Sequence, residues 1–450
     1  MAKFNREKAL RKIEFKRKWR SYSRYVYIAV PCVLCCLLCL YFAYSKFFVS
    51  EEQAVIRTTV GDFIHGDVVI GAYIDGEYSN TIPGKNDGYI VEKVSCDNGA
   101  VGEWNKDDWG LLTTNLSKRT KCNVYFKKGP ISNIIAQLDT SGKCPAMNAD
   151  GSVNVTGVEA TNGYLCKAKD AYGDSYYYRG NVTNNYVKFA GFYWRIVRIN
   201  GDGTVRVIYD GTSAHAKGEK SEDRQIGKSA FNSSYNDNAY VGYMYGQTGA
   251  STYADAHANT NNSTIKTYID NWYKTNIVGT TNEQYLADNV FCNDRSISSN
   301  KPNSDYNNLG YGTNATAYRW YYKTNSSYNN KMMLMCPQKN DAFTVSDTTN
   351  GNGALTYPVS LLSTDEIVLA GGWSAGNSGY YLYSGQSWWA SSPGDFRSSY
   401  ARVRDVNSYG YAHVDSLVHS SLGVRPVFNL KAEVLAQGSG TATDPYRISS

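Results

Sequence analysis

Residues 25–45 form a run of 21 without a single charge. At ~1.5 Å per helical residue such a run reaches roughly 31 Å, about the hydrocarbon thickness of a bilayer. The sequence therefore predicts a single transmembrane helix there, and that helix divides the chain. Residues 1–24 carry Lys3, Arg6, Lys8, Arg11, Lys12, Lys16, Arg17, Lys18, Arg20 and Arg24 against only Glu7 and Glu14. The positive-inside rule keeps this basic arm in the cytoplasm and sends everything beyond the span across the membrane. The expected localisation is the cell membrane, single-pass, with the C-terminal domain extracytoplasmic. The run is longer than the ~7–15 residues of a signal-peptide core, which favours an uncleaved anchor. The arm also has helical spacing, with Ala9, Leu10, Ile13 and Trp19 among the cations, which suits a helix lying along the inner leaflet.

Charge separates the two sides as well. The whole chain has net charge +6, and the arm alone accounts for +8, so the remainder is slightly acidic. A nucleic-acid surface is not expected there, and the membrane is the first expected partner.

The ten cysteines divide in the same way. Cys32, Cys35, Cys36 and Cys39 lie inside the span, where spacings of three, four and seven put most of them on one helix face. That reads as a packing stripe or as acylation sites rather than a zinc site, which needs four thiolates around one point. The other six are Cys96, Cys122, Cys144, Cys166, Cys292 and Cys336. Their even number suits an oxidising compartment. Fifteen pairings are possible in principle, and local closure favours Cys96 with Cys122, Cys144 with Cys166, and Cys292 with Cys336.

Taken in order, residues 46–59 read as a stalk, 60–130 as a small antiparallel β-sandwich-like spacer and 131–175 as a connector. In the spacer, the strand-like run ending at Asp75-Gly76 calls for a tight turn. The segment 176–435 then opens with aromatic and β-branched runs. Within it, Trp194-Arg-Ile-Val-Arg-Ile199 alternates in a mixed way that suggests a strand covered on both faces. Ile265, Tyr268, Ile269, Trp272 and Tyr273 recur at helical spacing behind a capping Ser263. Ser363-Thr-Asp-Glu366 is a capping box for a second helix that stops at Gly371. Residues 436–450 form a tail. Helices on a β-rich frame make the expected class α+β.

Near the end, Ser387-Trp-Trp-Ala-Ser-Ser-Pro-Gly394, two short strands and Gly423-Val-Arg-Pro-Val-Phe-Asn-Leu430 follow one another. Together with Gly191-Phe-Tyr-Trp-Arg-Ile-Val at the opening, this order resembles an uncharacterised bacterial surface domain family related to the major-paralogous-domain proteins, in the C-type-lectin-like and sulfatase-modifying-factor-like superfamily. The resemblance spans about 176–430. It implies a C-type-lectin-like α+β domain, a scaffold that brings its terminal strands together and displays long loops, and it implies no activity. The enzymatic branch of that superfamily holds copper on two active-site cysteines, and the surroundings of Cys292 and Cys336 look structural instead.

The binding reading rests on loop aromatics, namely Trp320, Trp373, Tyr380, Tyr381, Trp388 and Trp389. Flat apolar area rimmed by polar groups suits a glycan, a peptide or a partner surface protein. Of Trp388 and Trp389, one is expected buried and one exposed, and Arg425 is expected to be a structural strut. The enzymatic alternative is Gly372-Trp-Ser-Ala-Gly376, a G-x-S-x-G string followed by Asp395, Asp405, His413 and His419. It lacks the strand-to-helix setting that makes such a serine reactive. A purely structural envelope component is the third reading. The histidines show no metal-ligand spacing, and neither a metal nor a cofactor is expected.

Overall fold

The computed structural model describes residues 11–12, 14–19, 68–84, 88–105, 108–115, 120–158, 160–321, 331–372, 376–397 and 399–448. It corrects the expected class, because the described chain is mostly β. Its longest helix, Thr264–Asn276, has only 13 residues. Among the described residues no helix is long and apolar enough to cross a membrane. The described helices therefore do not supply the single transmembrane helix, nor do they support the single-pass cell-membrane localisation that rests on it. The run 25–45 itself, and the stalk after it, lie outside the described residues.

The chain divides into two compact units, one drawn from segments up to Tyr125 and the other from Phe126 onward together with Ile74–Gly76 and Pro83–Ile90. A four-stranded sheet, most of whose residues belong to the first unit, runs in the order Glu77–Ser79, Val68–Ile74, Thr120–Lys128, Tyr89–Cys96. The Asp75-Gly76 turn has positive φ at both residues, 49° and 89°, which is the hairpin geometry whose twist matches paired strands. Along Thr120–Lys128 the side chains alternate, with Cys122 and Val124 buried and Tyr125 half-exposed. On the open face Tyr125 stacks on Tyr73 at 4.9 Å, and Tyr78 meets Tyr73 edge-on at 5.7 Å. These rings cover one another across neighbouring strands, a cross-strand pairing that stabilises a sheet with one face in water.

In the second unit, a seven-stranded sheet runs Val359–Ser360, Val427–Leu430, Val205–Gly211, Phe192–Ile199, Gly173–Arg179, Tyr164–Asp170, with Tyr186–Phe189 also paired to Phe192–Ile199. The strand Tyr164–Asp170 comes from the stretch read as connector. Phe192–Ile199 is buried on both faces from Trp194 onward, as its mixed alternation implies. Trp194 is fully buried, stacked on Phe428 at 4.6 Å and edge-on to Tyr209 at 5.6 Å. A second sheet of six strands centres on Trp388–Arg397 and Tyr400–Val406.

Both anticipated helices are present. Ser263 caps Thr264–Asn276, and the Ser363/Glu366 capping box opens Thr364–Ala370. Glu366 does more than cap. Its Oε1 accepts from Arg206 at 2.6 Å and Arg198 at 3.1 Å, while its Oε2 accepts from the Ser363 amide at 3.0 Å. Burial pushes its pKa up, yet Arg206 and Arg198 outweigh that and hold it below the usual glutamate range. The three disulfides are Cys96–Cys122, Cys144–Cys166 and Cys292–Cys336, the pairings that local closure favours.

Two predictions follow from this interior. Glu366→Gln leaves two buried guanidiniums short of a counter-charge and is expected to cost about 3–5 kcal/mol, read as the shift in a denaturant midpoint. His257 is buried, donates from Nε2 to the Gly310 carbonyl at 3.1 Å and has its pKa lowered to about 2, by burial first and then by Arg295. Its folded form therefore binds fewer protons than its unfolded form below the ordinary histidine range near 6.5. Stability is expected to fall as pH drops through that window, by up to about 1.4 kcal/mol per pH unit. His257→Gln should flatten that slope between pH 7 and 4 in parallel thermal melts.

Candidate functional site

The aromatic residues singled out in the sequence do not form a surface. Trp320, Tyr380, Tyr381, Trp388 and Trp389 are all buried, none more than 2% exposed. This corrects their assignment as ligand contacts. Trp320 donates its indole N–H to Asp365 at 2.7 Å, and Trp389 donates to the Ser229 carbonyl at 2.9 Å. Trp388 lies under the Arg425 guanidinium at 5.0 Å, and Tyr381 faces Arg195 at 5.3 Å. Trp388 and Trp389 point to opposite faces of one strand, but that strand is covered on both, so the expected split into one buried and one exposed ring does not occur. Trp373 lies outside the described residues, as does Ser374 of the G-x-S-x-G string.

Of the residues downstream of that serine, the His413 side chain lies outside the described residues, whereas Asp395 and His419 have partners. Asp395 is fully buried, pairs with Arg402 and Arg397, and accepts from the Tyr306 hydroxyl at 2.9 Å. The His419 ring lies tilted against that of Tyr235, with centroids 4.5 Å apart. Elsewhere, His215 has Nδ1 2.8 Å from Glu219 and Nε2 2.9 Å from Asp223. Both ring nitrogens thus face carboxylates of the chain itself. Among the described residues no group of three or more His, Cys, Asp or Glu side chains is placed to hold a metal ion.

What the second unit does present is an open groove of about 420 Å³ at the start of the Thr264–Asn276 helix. Three separate segments build it. The first is Asn232-Ser233, held by the Asn232 amide on the Val418 carbonyl at 2.9 Å and the Ser233 amide on the Thr264 hydroxyl at 2.9 Å. The second is the short ladder Met244–Tyr245 against Asn261–Asn262. The third is the helix itself, whose Ser263 cap accepts from the Lys266 amide and donates to the Tyr243 carbonyl. On this helix Thr264, Thr267, Tyr268 and Asn271 recur at i, i+3, i+4 and i+7 and give the groove one wall. Gly227 backs that wall. Its φ is +141°, and a Cβ there would stand 2.2 Å from the Tyr268 hydroxyl, so glycine lets the ring settle against the strand.

Asn232 lies at the bottom of the groove and is only 3% exposed. Its Oδ1 is 3.5 Å from the Thr264 hydroxyl, while its Nδ2 meets no acceptor in hydrogen-bond geometry. Tyr245 is its aromatic neighbour. Burial first and then Tyr240 raise that phenol's pKa, and the adjacent Asn232 side chain partly opposes the shift. No charged side chain lines the groove. The nearest pair, Lys266 and Asp270, is joined internally at 2.5 Å.

Sequence reasoning missed this site because Asn232 and Tyr245 fall in a polar stretch without periodicity, and because Ser263 reads as a cap and nothing more. One signal was present, the uncharged stripe on the solvent side of an otherwise amphipathic helix. A smaller hollow of about 240 Å³ also exists, where the Tyr178 hydroxyl and Asn181 Oδ1 are unpaired. The buried tryptophans carry a separate prediction. Trp389→Ala is expected to lower stability by about 3–5 kcal/mol, measured by chemical denaturation.

No protein-family model, curated protein or solved structure matches this chain.

Proposed function

We propose that the second unit is a disulfide-stapled recognition module of an oxidising, extracytoplasmic compartment, binding its ligand in the groove at the start of Thr264–Asn276. The observation that carries this reading is the groove's floor. A buried amide donor without an acceptor is unfavourable by about 1–3 kcal/mol, and Asn232 holds such a donor at the bottom of an open hollow. A ligand acceptor there recovers that loss. The rim adds hydroxyls, carboxamides and two half-buried tyrosines, Tyr245 and Tyr268, the mixture of adaptable hydrogen bonding and amphipathic ring area that recognition surfaces use. The paired cysteines support the compartment, since structural disulfides persist where thiols are not kept reduced.

The hydrolase alternative draws no support from Asp395, which is committed to its arginines. A recognition module needs no nucleophile, only a pre-formed site on a rigid frame, and here two sheets and a capped helix supply the frame.

The test is occlusion. Thr267 is exposed on the groove wall, so Thr267→Trp fills the space without touching the core. The purified full chain is expected to capture ligands on combined glycan and peptide arrays, and Thr267→Trp is expected to lower that capture at least tenfold with an unchanged melting temperature. Equal capture by the occluded variant refutes the reading.

A further inference from the structure

We infer that the ligand of this groove is a neutral sugar, a pyranose offering adjacent hydroxyl groups; the inference rests on the groove being the recognition site. Four features of the lining select that class.

First, the walls carry no charge. A phosphate, a carboxylate or an ammonium entering from water would lose hydration and find no counter-ion among the described lining residues. The Lys266–Asp270 pair supplies none, because Lys266 is fully buried and already neutralised by its neighbour. Acidic sugars, nucleotides and basic peptides are disfavoured on this ground alone.

Second, Asn232 holds an unmet N–H donor at the floor. An apolar ligand would seal that donor away from water and make its loss permanent. A hydroxyl oxygen satisfies it and still has its own proton to give. The exposed carboxamides of Asn262 and Asn271 at the rim each offer both a donor and an acceptor. Vicinal hydroxyls, which donate and accept in turn, are the complementary pattern.

Third, Tyr245 and Tyr268 lie half-buried on the groove sides. Their rings offer apolar area next to hydrogen-bonding groups, and a pyranose has the same two-sided character, with C–H faces and a polar edge.

Fourth, an extended peptide lacks its usual means of attachment. Strand addition draws its affinity from a run of main-chain hydrogen bonds along a sheet edge. Among the described residues the ladder at this groove pairs two residues with two, Met244–Tyr245 with Asn261–Asn262, which is too short to template a further strand. The volume, about 420 Å³, falls within the range of small-molecule sites.

The experiment is saturation-transfer NMR on the full chain with methyl glycosides of neutral hexoses and of N-acetylhexosamines, alongside methyl glucuronide and a neutral tetrapeptide. Neutral glycosides are expected to show saturation. Methyl glucuronide is expected to show at most a tenth of their affinity. Asn232→Leu, which keeps the side-chain size and removes the donor, is expected to weaken the neutral glycosides at least tenfold. Asn271→Ala, at an exposed position, provides a second reading that does not disturb the interior and is expected to weaken them about threefold. Silence across the neutral glycosides overturns the inference. Peptide binding that Thr267→Trp abolishes, with no glycoside signal, also overturns it and leaves the recognition groove standing. Glycoside binding that Thr267→Trp and Asn232→Leu both leave intact overturns the sugar assignment and the groove together.

Discussion

A single buried carboxylate holds the second unit in register. Asp210, fully buried at the end of the Val205–Gly211 strand, accepts from Arg224 at 2.7 Å and Arg425 at 2.8 Å and lies 3.9 Å from Arg195. Three guanidiniums around one acid is an imbalance that a low-dielectric interior tolerates poorly. Carbonyl oxygens take up the remainder. Arg425 donates to Tyr209 and Leu382, Arg224 to Tyr381 and Tyr383, and Arg195 to Val182. Rings help further, with Tyr186 3.8 Å from the Arg195 guanidinium and Trp388 5.0 Å from that of Arg425. Burial still draws the Arg425 pKa down to about 9, with Asp210 opposing it. The knot thus ties the central sheet to the 381–383 turn and to the last strand, and the strut role read for Arg425 is its part in this knot.

The rigidity has a bearing on the groove. Recognition sites sit best on loops carried by a frame that does not move, and Asn232-Ser233 is held between that frame and the helix by two backbone amides. The backbone that carries the floor donor is thereby anchored on both sides. Affinity then depends on a pre-organised arrangement rather than on ordering a loop at the moment of binding.

How much of this was legible depended on the range over which each signal acts. Caps and disulfides are set within a few residues or by local closure, so Ser263, Ser363 with Glu366, and the three cysteine pairs could be read directly. The mixed alternation at Trp194–Ile199 was also legible, because burial on both faces leaves its mark within one strand. The same principle was not carried to Trp388 and Trp389, where two adjacent tryptophans suggested a face in water; what covers the second face comes from distant segments. The α+β class rested on two helices that are present but short within a mostly β frame, and the membrane span rested on an uncharged run that lies outside the described residues. The groove was the least legible feature. Its three walls come from separate segments spread over residues 232–271, and none has an unusual composition.

The pairing of Val205–Gly211 with Val427–Leu430 has a consequence for how the protein is made. The Arg425 side chain reaches the carbonyl of Tyr209, 216 residues earlier in the chain. Closing so long a loop costs roughly 5 kcal/mol of chain entropy before any contact forms. A ribosome adding residues in order cannot offer the closing strand until every residue between Val205–Gly211 and Val427–Leu430 has emerged. Until then the strand carrying Val207 and Ile208 has an unsatisfied apolar edge, the kind of surface that invites aggregation. The second unit is therefore committed late, as one piece, and depends on whatever keeps its unfinished chain apart from others during synthesis.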